Sequence, residues 1–373
     1  MIFDFCIIGG GIAGLTIANE LVRNSVSVVV IDEDEIGKGA GYYAAGMLAP
    51  LIESKIEEVN IVNYGLEALK YYPDYISNLE SETNFDVGFK KEGTLLLALN
   101  EDDRNILKHR YYEYESLGLD INWLTGSECR ELEPNLSAQI NTGIFSKSDI
   151  QLNNRIFIKA LFQNCKNKKV SFHEKVINGE LVIVNNTVKE FKFDNILINA
   201  KNFIVTCGAK SNKYASQCGI KNLVRPVKGQ VIRLDQKKLE LINYIIRTPE
   251  VYLVPKSDGS LVVGGSTEDK GFDNSNTAGE IFELLNSAYE VLPGIYELPI
   301  LELGTGFRPA TYDNEPAIGE SEIKGLYFAT GYYRHGVLFS PLSAKLLCDK
   351  ILYNKSNKYL ELFSLDRFYL NTN

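Results

Sequence analysis

Two short apolar runs open the chain, residues 3–8 and 26–31, and between them apolar side chains recur at helical spacing from Ile12 to Val22. Short apolar runs bounded by turn residues read as buried strands, and the 3.6-residue period between them reads as a helix. The junction of the first strand and the helix carries Gly9, Gly11 and Gly14, on the spacing G-x-G-x-x-G. Gly9 permits the tight turn, and Gly11 carries no Cβ to hold the backbone off a pyrophosphate. Gly14 lets helix and strand pack closely, so that the helix start, with Ile12 and Ala13, points free amides at phosphates. The second strand ends in Asp32, about 20 residues beyond the turn, where an acid accepts hydrogen bonds from a ribose with a free 2′-hydroxyl. The unit predicts a dinucleotide site for FAD or NAD.

The pattern continues as a Gly/Ala-rich loop over 37–50, a helix over 59–82, and an alternating strand pair over 85–99. Helices follow over 101–117 and 155–164. Strands follow over 170–176, 181–184, 187–193, 202–207, 227–234, 251–255 and 261–265. A last buried strand occupies 326–330 and a last helix 336–352. The dinucleotide pattern thus returns late, after an inserted set of strands, which predicts an α/β chain of two interleaved domains. A Rossmann-like FAD-binding domain takes residues 1–84, 146–215 and 304–373, and an antiparallel-sheet substrate domain takes 85–145 and 216–303.

Composition narrows the partners. A net charge of −9 over 373 residues argues against nucleic acid, which needs a basic face. Cys6, Cys129, Cys165, Cys207, Cys218 and Cys348 form no C-x-x-C pair, a pattern that fits reduced thiols in a cytoplasmic protein and excludes a dithiol redox centre. The three histidines, His109, His173 and His335, offer no multi-histidine metal site. The first apolar run carries Asp4 and lacks basic residues before it, so it reads as a strand and not as a signal peptide. No run approaches the ~18 apolar residues of a membrane-spanning helix.

Four segments together resemble the D-amino-acid-oxidase-like superfamily of FAD-dependent amine oxidoreductases, and within it the glycine oxidases of thiamine biosynthesis. They are 7–14 with Asp32; Ala44-Ala45-Gly46-Met47-Leu48-Ala49-Pro50; the middle set 205–209, 227–230 and 251–256; and 304–341. The resemblance implies that Ala45, Gly46 and Met47 run past the flavin, that Val176 meets the adenine ring through its backbone, and that Cys207 and Gly208 line the cofactor. It places Gly306, Arg334, His335, Gly336, Val337 and Leu338 at the flavin. It also implies that Arg308 binds the carboxylate of an amino acid, with Tyr252 hydrogen-bonding the same group and Arg334 as a second active-site arginine.

On the residues alone, Arg308 reads first as an ordinary ion-pair partner and Tyr252 as a strand aromatic, while Gly331 and Gly336 are equally turn glycines. A guanidinium fork does suit a carboxylate, and a helix start near Gly336 suits the charge on a reduced flavin. No cysteine near Arg308 or Thr311 matches the flavin-linking residue of monomeric sarcosine oxidases, so FAD is expected to be held non-covalently. The chemistry implied is transfer of a hydride equivalent from an α-carbon to flavin, giving an imine that hydrolyses to a keto acid and ammonia or amine. Electrons then pass to oxygen or another acceptor. The other readings are an amino-acid dehydrogenase subunit and an FAD hydroxylase-type monooxygenase. The second of these would carry Gly-Asp-Ala where Ala329-Thr330-Gly331 stands. A homo-oligomer is compatible with the resemblance. Two departures stand out: Gly41-Tyr42-Tyr43 replaces the Ser/Thr run of many relatives, and Leu152-Asn153-Asn154 stands where relatives carry a proline.

Overall fold

The computed structural model describes residues 2–54, 57–116 and 118–369. The last position of the helix expected over 101–117 lies outside the described residues, and so does 370–373. The opening unit folds as its pattern predicts, with strand Ile2–Ile8, helix Ile12–Val22 and strand Val28–Ile31. The first strand lies between Ile196–Val205 and Val28–Ile31, parallel to both. Leu326–Thr330 and Ser171–His173 extend the parallel sheet on either side, and Ala317–Glu320 closes it antiparallel. A hairpin, Glu180–Val184 with Thr187–Phe193, joins it through Ile196–Val205.

Strand periodicity explains how this sheet is covered on both faces. Phe5, Ile7, Val28 and Val30 point into a core formed with helices Ile12–Val22, Val59–Thr83, Asn154–Asn167 and Gly336–Tyr353. Their neighbours Cys6, Ile8, Val29 and Ile31 point to the opposite face, onto Leu181, Phe191 and Tyr214.

A second eight-stranded sheet runs Ile300–Ala310, Arg225–Asp235, Ser260–Gly264, Tyr252–Pro255, Ile245–Arg247, Thr94–Ala98, Thr142–Ser146 and Ile121–Thr125. Ile232, Leu234, Leu253 and Val263 face helix Ala278–Val291, while Val231, Tyr252, Val254 and Val262 face the other way, toward Ala45, Tyr43 and Met47. The architecture is α/β with two sheet layers. The expected boundary at 304 falls inside the strand Ile300–Ala310, which belongs whole to the second sheet.

The expected strand pair over 85–99 is one strand, Thr94–Ala98, because Gly88 and Gly93 at φ 63° and 95° break the extended run before it. The strand expected over 170–176 is confined to Ser171–His173, and Lys175 turns at φ 58°. The loop expected over 37–50 contains a short helical turn, Ala40–Tyr43, and the strand Met47–Leu48 paired with Ile150–Gln151. Helix Ala278–Val291 and strand Ile300–Ala310 had no counterpart in the periodicity reading. Among the described residues no helix is long and apolar enough to cross a membrane.

Candidate active site

One cavity of about 1050 Å³ runs from the glycine turn to the second sheet. At its first end, Gly9 turns at φ 109°, and a Cβ there would lie 2.6 Å from the Thr206 carbonyl. Gly11 and Gly208 line the same space and have nothing within 4 Å of where a Cβ would stand. That unfilled cradle at a helix start fits a pyrophosphate. Gly14 does not line the cavity. A Cβ there would collide with the Gly9 carbonyl, so its part is close packing of the helix on the turn.

Asp32 lines the cavity, and its carboxylate is oriented by N–H donors from Gly10 (2.5 Å) and Asp34 (2.8 Å). Burial pushes its pKa up from the ordinary carboxylate value, against those two hydrogen bonds. Val176 donates its N–H to the Asp32 carbonyl (3.0 Å), so a backbone contact with an adenine would run through its own carbonyl. Cys207 donates to the Ile8 carbonyl (3.1 Å), and burial pushes its thiol up. This reads as a neutral packed thiol.

In the middle of the cavity, Ala45, Gly46 and Met47 form one wall. The strand pairing of Met47 with Gln151 fixes this loop, and the Gly46 carbonyl accepts from Leu152 N (3.0 Å). Tyr43 lies against Gly304 and Gly306, where a Cβ would stand 2.7 and 3.1 Å from its side chain. The neighbouring Tyr42 is held between two cations, Lys38 and Arg155, each 3.9 Å from its ring centre, and Arg155 is paired with both oxygens of Glu302 (2.7 and 2.8 Å). The two unexpected tyrosines therefore tie the loop to the second sheet.

At the far end, alternation along the second sheet turns Tyr252 and Arg308 to the cavity. Each lies flat across a glycine. A Cβ on Gly229 would stand 2.5–2.7 Å from the Arg308 guanidinium, and one on Gly264 would meet the Tyr252 phenol. Gly264 is directly opposite Tyr252 in the ladder. Arg308 Nη1 donates to the carbonyls of Ser266 (3.0 Å) and Lys228 (3.4 Å). Burial lowers the pKa of Arg308 and raises that of Tyr252.

Arg334 enters from the loop after strand Leu326–Thr330, donating to Thr267 Oγ1 (3.2 Å). This loop turns through Gly331 (φ 75°) and Tyr333 (φ 46°), and Tyr333 N is anchored on the Pro309 carbonyl (3.0 Å). His335, Gly336 and Val337 line the cavity at the start of helix Gly336–Tyr353, which has no side-chain cap. Leu338 does not line it; its side chain lies in the helical core.

His335 is buried, stacked on Phe339, with Nε2 3.3 Å from Ser54 Oγ. Burial pushes its pKa from 6.5 down to about 4, against the pull of Glu53 and Glu58. The folded imidazole is thus neutral where the unfolded one is protonated, so stability is full above pH 6.5 and falls as pH drops toward 4. His335→Gln should flatten that part of the Tm–pH profile in a thermal melt series. An unchanged slope would assign the acid lability to other groups.

Two residues at this end escaped the sequence reading. Glu53 closes the short helix Pro50–Glu53 and lines the cavity, ion-paired to Arg247 Nε at 3.4 Å. Burial opposes its charge, but Arg247, Arg334, His335 and Arg308 together hold its pKa below the ordinary carboxylate value. Burial opposes the charge of Arg334, but Glu53, with Tyr333 and Tyr252, raises its pKa overall. Tyr333 is the second. The available signal was an acid closing the apolar stretch Met47–Ile52.

The DAO family of FAD dependent oxidoreductases matches residues 4–350. The chain belongs to this family. It is 30% identical over 368 residues, 98% of its length, to the "Bifunctional protein ThiO/ThiG" of Trichormus variabilis, of which it spans 55%. The chain thus spans about half the length of that relative. It is 28% identical to the glycine oxidase of Geobacillus kaustophilus, with 98% of this chain and 97% of that protein covered. The crystal structure of glycine oxidase from Geobacillus kaustophilus superposes with a TM-score of 0.90 at 27% identity, covering 97% of this chain and 98% of that one. The protein is therefore an FAD-dependent oxidoreductase.

Proposed function

We propose that this oxidoreductase oxidises the carbon–nitrogen bond of a small amino acid or secondary amine of the glycine, sarcosine or D-amino-acid kind. The observation that carries the reading is the pair Arg308 and Tyr252, each laid over a glycine at one end of the cofactor cavity. A planar cation beside a phenol donor is a carboxylate clamp. Similarity to the glycine oxidases supports the same class of substrate.

FAD would be held non-covalently by the turn 9–14, Asp32, the loop Ala45–Met47 and the start of helix Gly336–Tyr353. When bound, it supplies the acceptor for two electrons. The protein's own contribution is positioning: Arg308 and Tyr252 fix the carboxylate, and the narrow wall of Tyr43 and Met47 fixes the α-carbon beside it. Loss of two electrons and two protons from such a substrate gives an imine, which water converts to a keto acid and ammonia or amine. We further propose that residues on the first sheet hold the cofactor and residues on the second the substrate.

A panel of glycine, sarcosine and D-amino acids, added anaerobically to the FAD-loaded protein, is expected to bleach the flavin band. Readmitting air while following peroxide separates oxygen from another acceptor. A flavin that none of these compounds reduces would remove this reading.

A further inference from the structure

The clamp accounts for the carboxylate of an amino acid and leaves its nitrogen without a partner. Among the described residues, five acids line the cavity. Asp32, Glu33, Asp34 and Glu35 follow the second strand at the dinucleotide end, and only Glu53 stands at the end of Arg308 and Tyr252. Its Oε1 is buried and makes no hydrogen bond among the described residues, although Arg247 Nε is 3.4 Å away. A buried carboxylate oxygen without a donor is costly unless a ligand supplies one. Glu53 also borders a second cavity of about 380 Å³ together with Arg110, Arg247 and Arg334, so it stands on the wall between the two spaces.

Resting on the proposed function, we propose that the Glu53 carboxylate accepts a hydrogen bond from the substrate's amine nitrogen, completing a three-point hold with Arg308 and Tyr252. The charges suit that task. Arginines on several sides keep Glu53 ionised, so it holds an N–H donor without taking the proton away. Arg247 on strand Ile245–Arg247 and Arg334 on the loop before helix Gly336–Tyr353 steady it from different elements. A negative group at this point also disfavours substrates carrying a second carboxylate near the nitrogen.

The test compares ligands that differ by the amine. Apparent dissociation constants of glycine and sarcosine are taken from the substrate dependence of the rate of anaerobic flavin reduction in the FAD-loaded protein, and that of acetate from its perturbation of the oxidised flavin spectrum. The same measurements are made on Glu53→Gln. Loss of the negative charge is expected to weaken glycine and sarcosine at least about tenfold, the cost of a hydrogen bond to a charged group. Acetate should bind equally well or more tightly.

If Glu53 only props up Arg247 and Arg334, acetate weakens in step with the amines, and the inference falls while the clamp stands. If the wild-type protein binds neither acetate nor the amines, the clamp reading itself falls, and this inference with it. Glu53→Asp keeps the charge one methylene shorter and provides the same comparison if Glu53→Gln does not retain flavin. The ratio of glycine to acetate constants should then rise at least about threefold, and an unchanged ratio overturns the inference.

Discussion

Arg308→Ala is expected to lower kcat/KM for an amino-acid substrate by about 10²–10³-fold, while the protein stays folded and yellow. Removing a guanidinium that makes charge-assisted hydrogen bonds to a carboxylate in a desolvated site costs roughly 3–4 kcal/mol, and each 1.36 kcal/mol is about tenfold. Cofactor retention follows from position: Arg308 lies on the strand Ile300–Ala310, in the second sheet, far along the cavity from the glycine turn. Its guanidinium also satisfies the Ser266 carbonyl at 3.0 Å, so a small fall in Tm is expected from that lost bond. Stopped-flow reduction under anaerobic conditions separates the two effects. A variant reduced at the wild-type rate at the same substrate concentration would mean that the carboxylate is held elsewhere. The substituted site should also lose acetate as a ligand, which a damaged flavin geometry alone would not cause.

Gly14→Val should abolish stable FAD binding and also destabilise the apoprotein. Any Cβ at Gly14 meets the Gly9 carbonyl and stands 2.9 Å from Thr206 Oγ1, and neither is the tip of a long flexible chain. Thr206 Oγ1 itself donates to the carbonyls of Gly9 (2.6 Å) and Ile8 (3.1 Å), which leaves the strand, turn and helix no direction in which to yield. Overpacking of this kind costs about 1–3 kcal/mol, and the loss of bound cofactor removes its linkage stabilisation as well. Gly11→Val supplies the contrast. Its side chain would enter open cavity, so FAD should be lost with the Tm of the apoprotein nearly unchanged. Flavin content after purification and the melting of both apoproteins check the pair. Equal melting of the two would show that the contact of Gly14 with the turn is relaxed elsewhere.

The legible part of this protein was the part whose instructions are local. Alternation and helical period gave the opening strand–helix–strand unit almost to the residue, because both sheet faces there are buried and the glycine turn admits few alternatives. The second sheet was read in pieces. Residues 225–235 and 252–264 showed themselves by period, whereas Ile300–Ala310 did not, because Gly304 and Gly306 interrupt its apolar pattern. Those glycines are there for Tyr43, a residue some 260 positions away in the chain, and no window of sequence holds both.

The same holds for the site. The sequence by itself determined the cofactor turn, Asp32, the helix start at Gly336 and, through resemblance, Arg308 and Tyr252 as candidates. Only the tertiary structure decided that Gly229 and Gly264 leave room for those two side chains, and that Glu53 comes to face them. It also decided that Leu338 turns into the core while His335 and Val337 border the cavity. The division has one physical cause. Turns, caps and periods are set by neighbouring residues, but the approach of a guanidinium to a glycine, or of a lone carboxylate to three arginines, is set by how separate strands and loops pack.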